Sequence, residues 1–166
     1  MLFRSVDPAY LAWKMRSLNF QARFIDLATE INGQMPRYVA DRINDLLNEN
    51  RVAVNGAKVL ILGVAYKSNV SDMRESPALD VMRLLAQKGA ELRYSDPHVQ
   101  EIELDGRTHK SADLTDDLLG EVDLAVIITQ HTGVDYERVV ERCSRVFDTR
   151  NATRDVATGR EKISKL

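Results

Sequence analysis

Lys58-Val-Leu-Ile-Leu-Gly63, followed by Val64-Ala-Tyr66-Lys67-Ser-Asn-Val-Ser-Asp72-Met-Arg74-Glu75-Ser76-Pro77, sets the architecture of this chain. The run from Val59 to Leu62 is apolar at every position, as in a parallel strand covered on both faces, and Gly63 ends it. The loop Val64 to Glu75 is largely polar. Ser76 then supplies a helix N-cap and Pro77 a first helical residue without an N–H to waste. That helix is expected to run to about Lys88 and to stop at Gly89, which suits the left-handed residue after a helix end. Glu91 to Tyr94 reads as the next strand, closing at Asp96-Pro97. Further along, residues 112–119 read as helix, Asp123 to Thr129 as strand, 135–142 as helix and Arg145 to Asp148 as strand. This alternation predicts an α/β, Rossmann-like, doubly wound parallel sheet. Residues Thr158 to Leu166 are polar and expected to fray.

Upstream of this domain the pattern is helical. Asp7 is a candidate N-cap before Pro8, and Leu11, Met15 and Leu18 follow at helical spacing. Asn19-Phe20 reads as a break. A longer helix carries Phe24, Leu27, Ala28 and Ile31, then Val39, Ile43, Leu46 and Leu47, with Pro36 expected to kink or restart it. The first glycine-containing linker is Asn55-Gly56. The chain therefore divides into a helical segment, residues 1–54, and an α/β domain, residues 55–166. The apolar face of the long helix needs a cover: its own domain, a partner domain or a second subunit.

The 166 residues carry 23 basic and 25 acidic side chains, a net charge of −2. No basic stripe points to nucleic acid. No apolar run approaches the ~20 residues that cross a bilayer, and Met1 to Tyr10 lacks a signal-peptide core. A cytoplasmic protein with no membrane partner is the default. The single cysteine, Cys143, excludes an internal disulfide and reads as a buried small hydrophobe. His98, His109 and His131 are scattered without metal-ligand spacing, so no metal is expected.

Ligands of open parallel sheets bind beyond the carboxyl ends of the strands. Three such ends are visible: Gly63 to Ser76, Thr129-Gln130-His131, and Asp148-Thr149-Arg150-Asn151. The first is not a dinucleotide fingerprint, because Gly63 stands where three spaced glycines are needed. It offers side chains instead: a ring that can stack (Tyr66), a point charge (Lys67) and a planar fork (Arg74). Arg150 can converge on the same crevice. Loop lysines and arginines are ordinarily only solvated, but this set also suits a nucleoside diphosphate. His131 is expected to order its loop, and His98 to lie in a surface turn. Asp72 and Glu75 are expected to hold Arg74 or cap the following helix, and Tyr10 with Trp13 to pack along their helix.

The run Ile61-Leu-Gly-Val-Ala-Tyr-Lys-Ser-Asn-Val-Ser-Asp-Met-Arg-Glu-Ser-Pro-Ala-Leu-Asp-Val-Met resembles the UDP-binding domain of the UDP-glucose/GDP-mannose dehydrogenase family. Lys88-Gly-Ala-Glu-Leu, Ser95-Asp-Pro-His-Val and Phe147-Asp148-Thr-Arg150-Asn fit the same pattern. Upstream, Val6-Asp-Pro-Ala-Tyr-Leu, Arg23-Phe-Ile-Asp-Leu-Ala, Ile31-Asn and Met35-Pro also match, so the resemblance covers residues 6–150. It implies that Tyr66, Lys67 and Arg150 contact the UDP-sugar. Arg74 would reach the pyrophosphate of NAD held by a separate N-terminal domain. Asp7 would assist proton handling, and the long helix would build a homodimer.

One departure stands out. The family's catalytic cysteine would fall at Phe3 and an accompanying proline at Ser5, and neither is present. Two hydrides leave the sugar C6 in this chemistry, with the intermediate held on that thiol, so the chain alone is expected to be inactive. Val6-Asp7-Pro8 with Tyr10-Leu11 is more similar to relatives acting on UDP-N-acetylglucosamine or a related N-acetylhexosamine than to those acting on UDP-glucose. A second reading is a stand-alone, non-catalytic UDP-binding or regulatory module. A third is a receiver-type signalling domain, for which Asp96 is the one candidate phosphoacceptor.

Overall fold

The computed structural model describes residues 6–166, with side chains described from Pro8 onward except that of Ala9. Phe3, Ser5 and the side chain of Asp7 therefore lie outside the described residues. The chain forms two compact units, Met1–Met35 and Pro36–Leu166.

In the first unit, α1 (Val6–Arg16) ends in a turn whose Asn19 has a φ of 56°, and α2 (Arg23–Glu49) begins; from Pro36 on α2 belongs to the second unit. The break at Asn19-Phe20 is where the sequence placed it. The helix start is not: α1 already includes Val6, so Asp7 stands inside the first turn instead of capping it. Arg16 pairs with Asp26 at 2.7 Å, joining the end of α1 to the first turn of α2. Tyr10 and Trp13 pack ring to ring at 5.6 Å.

Pro36 neither ends nor restarts α2, which is continuous over 27 residues. A proline in a helix interior loses one backbone hydrogen bond and costs about 3 kcal/mol. What outweighs it is burial: Pro36, Val39, Ala40, Ile43, Leu46 and Leu47 are all buried. Each fully buried aliphatic side chain contributes about 2 kcal/mol.

The second unit is a five-stranded parallel sheet in the order β2-β1-β5-β6-β7, with helices on both faces. Its strands are β1 (Lys58–Leu62), β2 (Glu91–Ser95), β5 (Leu124–Ile127), β6 (Val146–Asp148) and β7 (Ile163–Lys165). The apolar runs are continuous because both faces are covered, and the pleat divides them. Val59, Ile61, Leu124, Val126 and Phe147 join the second half of α2 and α3 (Pro77–Gln87) in one core. Leu60, Leu62, Ala125, Ile127 and Val146 join α4 (Asp116–Glu121) and α5 (Tyr136–Arg142) in the other. Cys143 lies in this second core, where burial pushes its thiol up to about 11. It is a packed hydrophobe, as expected.

Helix α3 begins as its sequence dictates, with the Ser76 hydroxyl accepting from the Ala78 amide and Pro77 at the first position. The fourth helix differs. Thr115 caps it, so it covers 116–121 and not 112–119. Two strand features went unread. An antiparallel hairpin, β3 (Glu101–Leu104) and β4 (Arg107–Lys110), fills the stretch after Asp96-Pro97. The C-terminal residues do not fray: a 3-10 turn, Arg160–Lys162, leads into β7, which pairs in parallel with β6. The pairing bonds come from β6, so three residues with little pattern of their own are enough.

Candidate functional site

The strand order reverses between β1 and β5, because β1 connects through α3 to β2 on one side while β5 lies on the other. The crevice at the carboxyl ends of such a pair is the usual ligand site of doubly wound sheets. The loop after β1 and the loop after β5 both open there. The loop after β6 opens at the same edge, one strand further, about 10 Å from β1 by strand spacing.

Gly63 turns the chain out of β1 with a φ of +80°, and a Cβ there would meet the Thr129 carbonyl oxygen at 2.0 Å. This glycine serves the close crossing of two loops. Past it, the Val64 and Ala65 amides donate to Asp96 Oδ2 at 2.8 and 3.0 Å, and Thr129 Oγ1 donates to the Ala65 carbonyl at 2.7 Å. The Tyr66 amide donates to the Asp72 carbonyl at 2.7 Å. Tyr66 is half-buried and Lys67 exposed, with the ammonium 5.3 Å from the ring centroid, a cation–π contact.

Asn69 closes the turn in a left-handed conformation. Its amide donates to His131 Nδ1 at 3.0 Å, and its side-chain oxygen accepts from the Thr132 amide at 2.9 Å. His131 is buried and does order the loop, as the sequence suggested; His98 is exposed.

Arg74 grips Asp72 through both ends of its fork, Nε to Oδ1 at 2.8 Å and a terminal nitrogen to Oδ2 at 2.7 Å. That hydrogen bond and the charge of Asp72 raise its pKa further above an already basic value. The Arg74 side chain is 69% exposed.

Arg150 is exposed on the loop after β6. That loop is built on Asp148, whose Oδ1 accepts from the Arg150 and Ala152 amides at 2.9 and 3.1 Å. Its Oδ2 accepts from the Thr153 amide and hydroxyl at 2.8 and 2.6 Å. Burial pushes this carboxyl up, but the Thr153, Arg150 and Ala152 hydrogen bonds outweigh it and hold it below the usual carboxylate range. An open hollow of about 440 Å³ is lined by Asp148 to Asn151 with Lys165 and Leu166.

Tyr66 and Lys67 thus share one turn, Arg74 stands later in the same loop, and Arg150 lies at the same sheet edge in a hollow that includes neither Tyr66 nor Lys67. Lys165 joins Arg150 there and was not singled out, because it belongs to the strand the sequence hid. Asp148 has a place in the sequence only as part of a motif, and Asp96 as that and as a candidate phosphoacceptor, neither as the anchor of a loop. Their position at strand ends was the available signal. Among the described residues no group of metal-ligating side chains comes together, and no helix is long and apolar enough to cross a membrane.

A family model described as "UDP-glucose/GDP-mannose dehydrogenase family, UDP binding domain" matches residues 60–155, more than half of the chain and all three ligand-side loops. The chain belongs to this family. Among its relatives, a UDP-N-acetyl-D-mannosamine dehydrogenase of Methanococcus maripaludis is 32% identical over 155 residues, covering 89% of this chain and 34% of the relative. A UDP-N-acetyl-D-glucosamine 6-dehydrogenase of Pseudomonas aeruginosa is 32% identical over 94 residues, 57% of this chain and 22% of the relative. The solved UDP-glucose dehydrogenase of Pyrobaculum islandicum superposes with a TM-score of 0.72 at 26% identity, covering 97% of this chain and 35% of that one. This member of the UDP-glucose/GDP-mannose dehydrogenase family thus spans between about a fifth and about a third of these relatives' length, the part that includes the UDP-binding domain. The receiver reading falls with this match and with the site itself: Asp96 is 1% exposed and its carboxylate already accepts four hydrogen bonds.

Proposed function

We propose that this chain binds the nucleotide end of a UDP-N-acetylhexosamine for oxidation at C6 by an NAD-dependent dehydrogenase. The observation that carries the reading is the rigid Tyr66-Lys67 turn at the switch point, with Arg150 at the same sheet edge. Tyr66 stacks, Lys67 neutralises phosphate charge and Arg150 reaches the UDP-sugar from the next loop but one. The names of the relatives favour an N-acetylhexosamine.

Arg74 contacts NAD. Its fork already grips the two oxygens of Asp72 and fits two phosphate oxygens of a dinucleotide equally well. NAD, when bound, accepts the hydrides. The chain's own contribution is to hold the nucleotide and present Arg74, while Asp7 assists proton handling near the sugar. An NAD-binding domain is the necessary partner, in the same polypeptide or a separate one. The helical segment through residue 54 builds a homodimer. A cytoplasmic place in polysaccharide precursor synthesis follows from this chemistry, without nucleic-acid or membrane partners.

Calorimetric titration with UDP-N-acetylglucosamine tests the reading. Lys67→Ala and Arg150→Ala are each expected to weaken binding about tenfold, the loss of one charge-assisted contact. Unchanged affinity in both variants would sink it. The chain alone is expected to reduce no NAD with any UDP-sugar. Activity restored by adding a separately expressed NAD-binding domain distinguishes an enzyme part from a stand-alone UDP-binding module.

A further inference from the structure

The Tyr66-Lys67 turn is held at both ends, and both holds lead to one buried carboxylate. On the near side, Asp96 Oδ2 accepts the Val64 and Ala65 amides. On the far side, the Asn69 amide donates to His131 Nδ1, and His131 Nε2 lies 3.1 Å from the same Asp96 oxygen. The imidazole is 2% exposed. Since Asn69 N–H can only donate, Nδ1 must accept, so the ring proton sits on Nε2 and points at Asp96. A fifth contact fixes the ring's own backbone: the His131 amide donates to the Tyr136 hydroxyl at 3.0 Å.

We infer that His131 is a positioning residue for nucleotide binding: as the neutral Nε2–H tautomer it links Asn69 to Asp96 and so sets where the Tyr66-Lys67 turn stands. This rests on the nucleotide reading of that turn. A second ring proton converts Nδ1 from acceptor to donor and sets it against the Asn69 N–H, which releases the far side of the turn. The groups facing the ring are Asp96 at the end of β2, His98 in the turn after it with its ring 5.1 Å away, Tyr136 at the start of α5, and uncharged Asn69 from the loop after β1. Asp96 favours the second proton. Burial, with His98 adding to it, opposes the proton and leaves the His131 pKa below the ordinary histidine value. The neutral ring is therefore the form present at neutral pH, and the link fails only in acid.

The test uses the full chain and UDP-N-acetylglucosamine, whose diesterified phosphates do not titrate between about pH 5 and 8, where histidines do. Nitrogen-15 spectra of the imidazoles are expected to show the Nε2–H tautomer at His131. Affinity is expected to hold at neutral pH and to fall about tenfold as His131 takes its second proton, the worth of one buried hydrogen bond. His131→Asn keeps an acceptor where Nδ1 stands. It is expected to bind within about threefold of the parent and to lose the acid fall. His131→Phe, with no acceptor, is expected to bind about tenfold more weakly at every pH. His98→Gln is expected to retain the acid fall, which assigns it to His131.

An Nδ1–H tautomer, full affinity in His131→Phe, or an acid fall that persists in His131→Asn would overturn the inference. If His131→Phe does not fold, the tautomer and the His131→Asn profile still decide. If the parent chain binds no UDP-sugar at any pH, the nucleotide reading fails. The tautomer, and an Asn69 amide shift that follows His131 ionisation, then judge the link separately.

Discussion

Asp148 shows how one residue can shape a loop. Its four hydrogen bonds all come from the five residues that follow it, so the carboxylate acts as the template on which Arg150 is presented. Because the folded-state pKa is held below the ordinary value, the unfolded chain takes up a proton first as the pH drops. The stabilisation is therefore complete above about pH 4, near the ordinary aspartate value, and is lost as the pH falls through the lowered folded value. Asp148→Asn keeps one acceptor oxygen and turns an N–H toward donors already there. It is expected to cost about 2 kcal/mol in urea unfolding at pH 7. It should also remove this carboxyl's share of the acid dependence; an unchanged acid profile would show that the four bonds do not set its protonation. Gly63 is constrained differently. Gly63→Ala combines a φ of +80° with a clash of the new Cβ against the Thr129 backbone oxygen, neither of which a rotamer change relieves. A loss of about 3 kcal/mol is expected in the same assay.

Helix α3 was readable at both ends: Ser76 and Pro77 open it, and Gly89, at a φ of +85°, follows its cap. Ser76→Ala is expected to lower stability by about 1 kcal/mol, measured as a shifted urea midpoint with an unchanged slope. A larger loss with an altered slope would point to disturbed packing instead. The apolar strands were legible for the same reason, since their signal is local. The hairpin β3–β4 also had one, Asp105-Gly106 after the alternating Glu101-Ile-Glu-Leu, with both residues at positive φ as a tight hairpin turn requires. It is masked because β4, Arg107-Thr-His-Lys, carries no apolar residue and so shows no alternation of its own. Strand β7 had no local signal at all: Ile163-Ser-Lys gains its place only by pairing with β6. The site divides along the same line. Strand ends pointed to Tyr66, Lys67 and Arg150, but the contact between Asn69 and His131 spans 62 positions and depends on how β1 pairs with β5. No local pattern encodes that register.

The largest feature the sheet leaves unexplained is apolar surface in the unit Met1–Met35. Tyr10, Leu11, Trp13, Leu18, Phe20, Phe24, Leu27 and Ile31 are each at least half exposed, with Leu18 at 71% and Phe24 at 85%. Isolated surface hydrophobes are ordinary, but eight within 22 residues, six on two successive helices and two in the turn between them, are not, and such concentrations mark contact surfaces. The reading proposed above places a second copy of the chain there, through the long helix. Self-association on this surface follows mass action, so light scattering over a dilution series is expected to give twice the chain mass at high concentration and a smaller mass on dilution. Phe24→Asp combined with Ile31→Asp puts two charges on the most exposed stretch of α2 while leaving the sheet, its loops and the buried second half of the helix untouched. The double variant is expected to remain a monomer throughout and to bind UDP-N-acetylglucosamine as the parent does. A parent that is monomeric at every concentration would remove the second copy as the cover and assign this surface to the NAD-binding partner. Addition of that domain should then protect α1 and the first half of α2 from amide hydrogen exchange.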